Sequence, residues 1–548
     1  MFKGSAMRKQ KTTRRRGRAA FFGVTIAAMV AIAVPAQAAS ISGVVADSGP
    51  VAGGTAVTID GTGFGFTALA GSGDHNLALR SDNVLYSWGR NDLGQLGNGT
   101  TVNEEKEPAP VDMSGALAGK TITQIAAGES GSLVLASDNT LYSWGKGTDG
   151  DLGNGANLNS SVPVAVDMTG VLAGKTITQI SMGISFSLVL ASDGTMFTWG
   201  NGDQGELGNG SAVDSNVPVE VDISSVLPAG RTIVAADAGS INGYAIDDAG
   251  FAYAWGWGFY GQIGDGTNDP VVSTPRAVDV SGVLAGQSVT QISGGGSHAL
   301  VLTAAGNLYS WGYENNGRLG NGNTGSGASS NVPVAVDMTG VLAGRTITSV
   351  KAGTFHSVAL DSTGAVSTWG YGVQGAMGTN SNVDELRPVL VDTAGALAGK
   401  TVTAINGGRF HSSALTADGA LIWWGFNNFG ISGGNPLAYL VRVPTAITMP
   451  DLAVTFDGVA GTSVERISAT QLTVVTPQNP QGFVDVEVSV GGNSLYSTDS
   501  AVSADGYEYV GPELAATGAA ESGTLAALAV LLLVAGAALI GARKLRSR

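Results

Sequence analysis

The sequence predicts an all-β protein: a seven-bladed β-propeller joined to a split, immunoglobulin-like β-sandwich, with signal and transmembrane helices confined to the two termini. Three observations carry this. A Trp-Gly pair recurs at Trp88, Trp144, Trp199, Trp255, Trp311, Trp369 and Trp424, with intervals of 55 to 58 residues. Between these marks the chain runs in short apolar segments broken by Gly, Asn and Asp turns. On either side of the array lie β-rich stretches too short to close a sandwich alone.

Composition sets the frame for function. The chain has 548 residues, 83 of them Gly, 43% hydrophobic and 13% charged, which is too long for one compact core and too apolar for a disordered polymer. No cysteine is present, so a disulfide framework, a Cys-ligated metal and a thiol nucleophile are all excluded. Four histidines leave little material for a metal site.

The N-terminal element is a secretory signal peptide, residues 1–38. Eight cations between Lys3 and Arg18, with no acid among them, precede an apolar run over 19–34 and the small-residue stretch Pro35-Ala36-Gln37-Ala38-Ala39. Cleavage is expected between Ala38 and Ala39. The alternative is an uncleaved anchor, for which the apolar run is short.

At the other end, 511–548 carries Leu514-Ala515-Ala516-Thr517-Gly518, an apolar stretch over 524–542, then Arg543, Lys544, Arg546 and Arg548. At ~1.5 Å per helical residue the stretch spans just under one bilayer core, and the cations hold the end in the cytoplasm. The order of pentapeptide, helix and basic tail resembles the sorting signal of Gram-positive surface proteins. That resemblance implies a sortase that cuts between Thr517 and Gly518 and joins the chain to peptidoglycan. The membrane would hold the helix before sorting, and a retained helix is the alternative. Ala515 replaces the usual Pro, as in an LAxTG variant. Removing both ends leaves 16 cations against 42 anions, a net charge of −26 that repels phosphate backbones and disfavours nucleic acid.

Within the array, the second repeat reads as four strands, over 121–125, 133–136, 141–144 and 162–166. Four strands make a blade. Seven such sheets around an axis bury their faces against each other, with the indole filling the gap between blades and the following Gly allowing close backbone approach. The elements Gly353-Thr354-Phe355-His356-Ser357, Trp-Gly and Gly94-Gln95-Leu96-Gly97 together resemble the regulator of chromosome condensation repeat family, over residues 66–449. Members of that family are seven-bladed propellers that bind protein partners, including a guanine-nucleotide exchange factor and a secreted β-lactamase inhibitor. Closure is expected through the terminal segment 443–447, completing the blade that contains Trp88.

The flanks, 41–65 and 451–510, form an immunoglobulin-sized unit when joined, and their motifs resemble the TIG domain. The propeller would then be an insertion in one loop of that sandwich. Two unrelated β segments are the alternative.

His75, His298, His356 and His411 occupy one repeat position, which a structural role explains without catalysis. No catalytic, cofactor or metal constellation stands out, and no spaced acidic calcium loop is present. One asymmetry points to recognition. Two residues after each Trp stand Arg90, Lys146, Asn201, Trp257, Tyr313, Tyr371 and Phe426, and five residues after it Tyr260 and Phe429 appear. Aromatics thus collect on repeats four to seven, forming one arc suited to a sugar ring or a protein loop. The expectation is a secreted, wall-anchored, non-enzymatic adhesion or recognition scaffold with an unknown protein or glycan ligand; the alternative is a glycan-active enzyme on the same propeller.

Overall fold

The computed structural model describes residues 40–323, 329–430, 432, 439–447, 452–490 and 499–510. The signal peptide with Ala38 and Ala39, and the segment from Leu514 to Gly518 with its apolar helix, lie outside the described residues. Among the described residues no helix is long and apolar enough to cross a membrane.

Seven four-stranded antiparallel sheets follow one another along the chain, spanning 66–110, 122–165, 177–220, 233–277, 289–335, 347–390 and 402–446. We call them blades one to seven. In every blade the second strand is buried along its whole length, as in Gly131–Ala136 and Phe186–Ala191, because neighbouring blades cover both of its faces. The outermost strand always contains a proline, from Pro108 and Pro163 to Pro388 and Pro444. Proline lacks the donor a central strand needs, so it marks the outer edge and blocks further pairing there.

That edge chemistry corrects the expected closure. The strand Leu440–Ala446 pairs with Leu421–Phe426 inside its own blade, through Ile422↔Ala446 and Gly425↔Val441. Blade one is completed by its own Glu104–Pro110, with Tyr86 opposite Pro110. Among the described residues no strand is exchanged across the seam.

The ring is held instead by side chains of the innermost strands. Gln124 spans to blade three, donating to Thr178 O (2.8 Å) and accepting from Ile180 N (3.2 Å). Gln291 repeats the clasp on Thr348 and Val350. Asp237 joins three blades, accepting from Ser181 Oγ at 3.0 Å and from Gly294 N at 2.9 Å. At the closing seam the Asn406 amide donates to Gly71 O.

The second unit is a sandwich of two sheets whose strands come from both sides of the propeller. Ala56–Thr62 lies between Ser40–Val45 and Gln471–Val475, with Ala56 opposite Val475. The facing sheet contains Leu452–Phe456, Gly482–Val490 and Asp499–Val510. Val57, Ile59, Phe456, Leu472, Val486 and Tyr507 fill the space between them. The sandwich rests on the seam of blades one and seven, where Ser81 Oγ donates to Ala469 O (2.7 Å). Gly65, Gly419 and Ala469 meet there so closely that a Cβ on Gly65 would lie 3.1 Å from both neighbours' Cα atoms.

Contacts near residues 65, 81 and 419 place the sandwich on the face formed by the turns between second and third strands. We call it the lower face. Leu452 pairs with Val490 near the propeller, whereas Tyr509 pairs with Gly482 at the far end, so the chain leaves the sandwich at Val510, away from the propeller.

Candidate functional site

The upper face is built from the turns joining strands one to two and three to four. Its rigidity starts at the tryptophans, each fully buried between two blades. Indole N–H groups of Trp144, Trp199, Trp255, Trp311, Trp369 and Trp424 donate to the preceding blade at Gln95, Asp151, Glu206, Gln262, Arg318 and Ala376 O, over 2.8–3.0 Å. In blades one to six the glycine nine residues after the Trp lies flat on the next blade's indole: a Cβ on Gly264 would come 2.7 Å from Trp311 Nε1. The Gly directly after each Trp serves a different end. Gly256 (φ 101°) and Gly312 (φ 104°) adopt a conformation open to Gly, and the register shifts there, turning the next residue onto the upper face.

Of the sequence-predicted aromatics, five fall on one ridge across blades four to seven. Trp257 meets Tyr260 edge to face (5.2 Å between ring centres), and Tyr260 meets Tyr313 at 4.3 Å. Tyr371 lies 5.8 Å from Phe410, which lies 6.0 Å from Phe426. Phe429 does not join them. It turns across the seam, where Arg90 of blade one sits 5.7 Å from its ring centre.

Four rings were not in the sequence-predicted set. Phe259 stacks on Trp257 at 6.3 Å and is 55% exposed. Phe355 stacks on Phe410 at 4.8 Å, and Tyr439 packs edge to face on Phe426 at 4.7 Å. Phe355 and Phe410 directly precede His356 and His411, a position that Ile or Ser fills in blades three to five, so an aligned reading of the residue before the His would have found them. Arg318 sits between Tyr313 and Phe355, its guanidinium carbon 5.0 Å and 5.3 Å from the two ring centres, and joins the two halves of the ridge. Past the end of the ridge the face carries charge: Arg409 of blade seven lies 3.2 Å from Glu129 of blade two and 3.7 Å from Asp74 of blade one.

The histidines lie in the blade interfaces. Ser132 Oγ donates to Gln95 O, which leaves its lone pair to accept the Nε2–H of His75 at 2.9 Å. His298 and Ser357, and His356 and Ser412, repeat the relay. His411 faces Asn76 rather than a serine, and neither side chain has a hydrogen-bond partner. Burial drives His75 and His356 down to about 3 and His411 to about 4, so the rings are neutral at physiological pH. Among the described residues no group of His, Asp and Glu could hold a metal ion. Glu206 and Asp151 are pushed up to about 7 and about 6 by burial, but each turns back onto its own loop, accepting from Gln204 N and Asp149 N.

A family model of the RCC1-like domain matches residues 55–405. The chain belongs to the RCC1-like family. A TIG domain model matches 392–504, a range that takes in blade seven as well as the sandwich strands that follow the propeller. Among RCC1-like relatives, the ultraviolet-B receptor UVR8 of Arabidopsis thaliana is 30% identical over 367 residues, covering 67% of this chain and 78% of that protein. Human E3 ubiquitin-protein ligase HERC2 is 34% identical over 294 residues, 53% of this chain but 6% of HERC2. Human WBSCR16 superposes with a TM-score of 0.57 at 22% identity, over 72% of this chain and 98% of that one. Prp20p of Saccharomyces cerevisiae, described with its binding properties to Gsp1p and histones, superposes at 0.54 with 25% identity, over 63% and 80%.

Proposed function

We propose that the protein is a cell-surface recognition scaffold, without enzymatic activity, that binds a protein partner through its upper face and uses the sandwich as a stalk. The observation that carries this is the aromatic ridge of blades four to seven on the face opposite the sandwich. Phe259, Trp257, Tyr260 and Tyr313 form one half, and Phe355, Phe410, Phe426 and Tyr439 the other. Large rings at the centre of a face, with polar residues around them, are the composition of binding hot spots. RCC1-like relatives support a protein ligand, since Prp20p is described as binding Gsp1p and histones.

The sandwich geometry supports display. Its exit at Val510 leads toward the pentapeptide Leu514 to Gly518, so an anchor there would point the ridge away from the envelope. In this reading residues 1–38 direct export, a sortase joins Thr517 to peptidoglycan, and the C-terminal helix holds the chain in the membrane until then. The mature charge of −26 argues against nucleic acid as the ligand.

The test is photocrosslinking from position 259 on whole cells, comparing the parent with a Trp257→Ala, Tyr313→Ala double variant. A discrete protein adduct that disappears in the double variant is expected. An adduct of equal yield in both would refute the site.

A further inference from the structure

Arg318 is 2% exposed, and among the described residues it has no ion-pair partner. Its one side-chain hydrogen bond runs from Nε to Asn315 O at 2.9 Å. Four of its five N–H donors therefore have no protein acceptor among the described residues. The other fully buried arginine, Arg80, is treated differently, with Asp82 accepting from its Nε at 2.9 Å through both oxygens. Asp384, the carboxylate nearest in effect on Arg318, is already engaged by Gly372 N and the Asn316 amide. Neither 324–328 nor 433–438 contains an acid that could serve.

A buried cation without a countercharge is costly, and flanking rings offset only part of that cost. Burial accordingly draws Arg318 down to about 10. The backbone is nonetheless pinned, because Arg318 O accepts from both Trp369 Nε1 and Ser357 Oγ at 3.0 Å. The guanidinium is thus preorganised, desolvated and unpaired at the middle of the ridge.

We propose that Arg318 is a socket for one carboxylate, an Asp or Glu side chain of the protein partner, held edge-on between Tyr313 and Phe355. This deepens the recognition reading above and rests on it. A guanidinium fork matches a carboxylate through two parallel hydrogen bonds, and rings on both sides keep water out. A polyanion does not fit the surroundings. Asp384 lies close enough to act on Arg318, and Asp203 and Asp214 stand on the same face with no ion-pair partner among the described residues, so a chain of charges is repelled where a single one is tolerated.

The experiment uses benzoate as probe, with neutral benzamide as control, at fixed ionic strength on the secreted chain. The variant is Arg318→Gln, which is expected to fold because Gln95 and Gln262 occupy the equivalent position in blades one and four. Benzoate at ten times its Kd is expected to raise the parent's Tm by ~1–2 °C, benzamide to leave it unchanged, and the variant to lose the benzoate response. Without benzoate the variant should melt no lower than the parent. Equal benzoate responses in parent and variant, or none in the parent, would overturn the socket. So would a parent dimer that Arg318→Gln dissolves, which would make a second copy the occupant. The benzoate measurement needs no partner, so its failure is separable from failure of the ridge to crosslink one.

Discussion

Glu206→Gln should stabilise the protein above neutral pH, and the size of the effect follows from one repeat position. Gln95, Glu206 and Gln262 each fold back onto their own loop. Gln95 Oε1 accepts from Leu93 N (2.9 Å), Glu206 Oε2 from Gln204 N (2.8 Å) and Gln262 Oε1 from Tyr260 N (2.8 Å). The acceptor is needed in all three blades; a second negative oxygen is needed in none. Burial, reinforced by the charges of Asp203 and Asp214, pushes Glu206 from the ordinary 4.5 up to about 7. A carboxyl whose folded value is raised is most stabilising while protonated. Its contribution is therefore fully present below pH 4.5 and is lost as the pH climbs through 7. Moving this carboxyl from 4.5 to about 7 corresponds to about 3 kcal/mol. The introduced amide stays neutral and can donate toward Asp203, as Gln95 Nε2 donates to Asp92 at 3.3 Å in blade one. Urea unfolding between pH 4 and 8.5 should show the variant gaining about 3 kcal/mol over the parent at pH 8 and little at pH 4. A variant no more stable than the parent at pH 8, or one that keeps the parent's pH slope, would refute this reasoning.

Gly264→Ala should be among the most damaging small substitutions, because the added methyl strikes the Trp311 indole at a backbone φ of 75°. A loss of more than ~3 kcal/mol on denaturation is expected, against less than ~1 at Gly282, where a Cβ meets nothing within 4 Å. Ser132→Ala leaves the His75 Nε2–H without an acceptor and should lower stability by ~1–3 kcal/mol, with no change in pH dependence near neutrality since His75 is already neutral. Thr517→Ala should keep the protein in the membrane fraction after cell-wall digestion, whereas the parent is released with wall fragments; equal release of both would remove the sorting assignment.

How much of this was written in the chain itself depends on the scale of the interaction involved. The repeat was legible because a blade is a local object. Trp144 and Gly153 stand nine residues apart, and the buried run Gly131–Ala136 carries the apolar Leu133 to Ala136, since each registers a packing demand that every blade repeats. The aromatic excess of blades four to seven was visible for the same reason. Closure was not, because strand exchange and a side-chain clasp leave the same short β segment at residues 443–447. Pro444, at the edge position that Pro163 and Pro388 also hold, was the one local sign. Tertiary structure alone decided that Phe429 turns toward Arg90, that Phe355 and Phe410 complete the ridge, and that Arg318 lies between two rings without a carboxylate. Those outcomes depend on which loops the ring brings side by side, from neighbouring blades for Arg318 and Phe355 to opposite ends of the array for Phe429 and Arg90, and desolvation at such a seam is a property of the neighbours rather than of the residue.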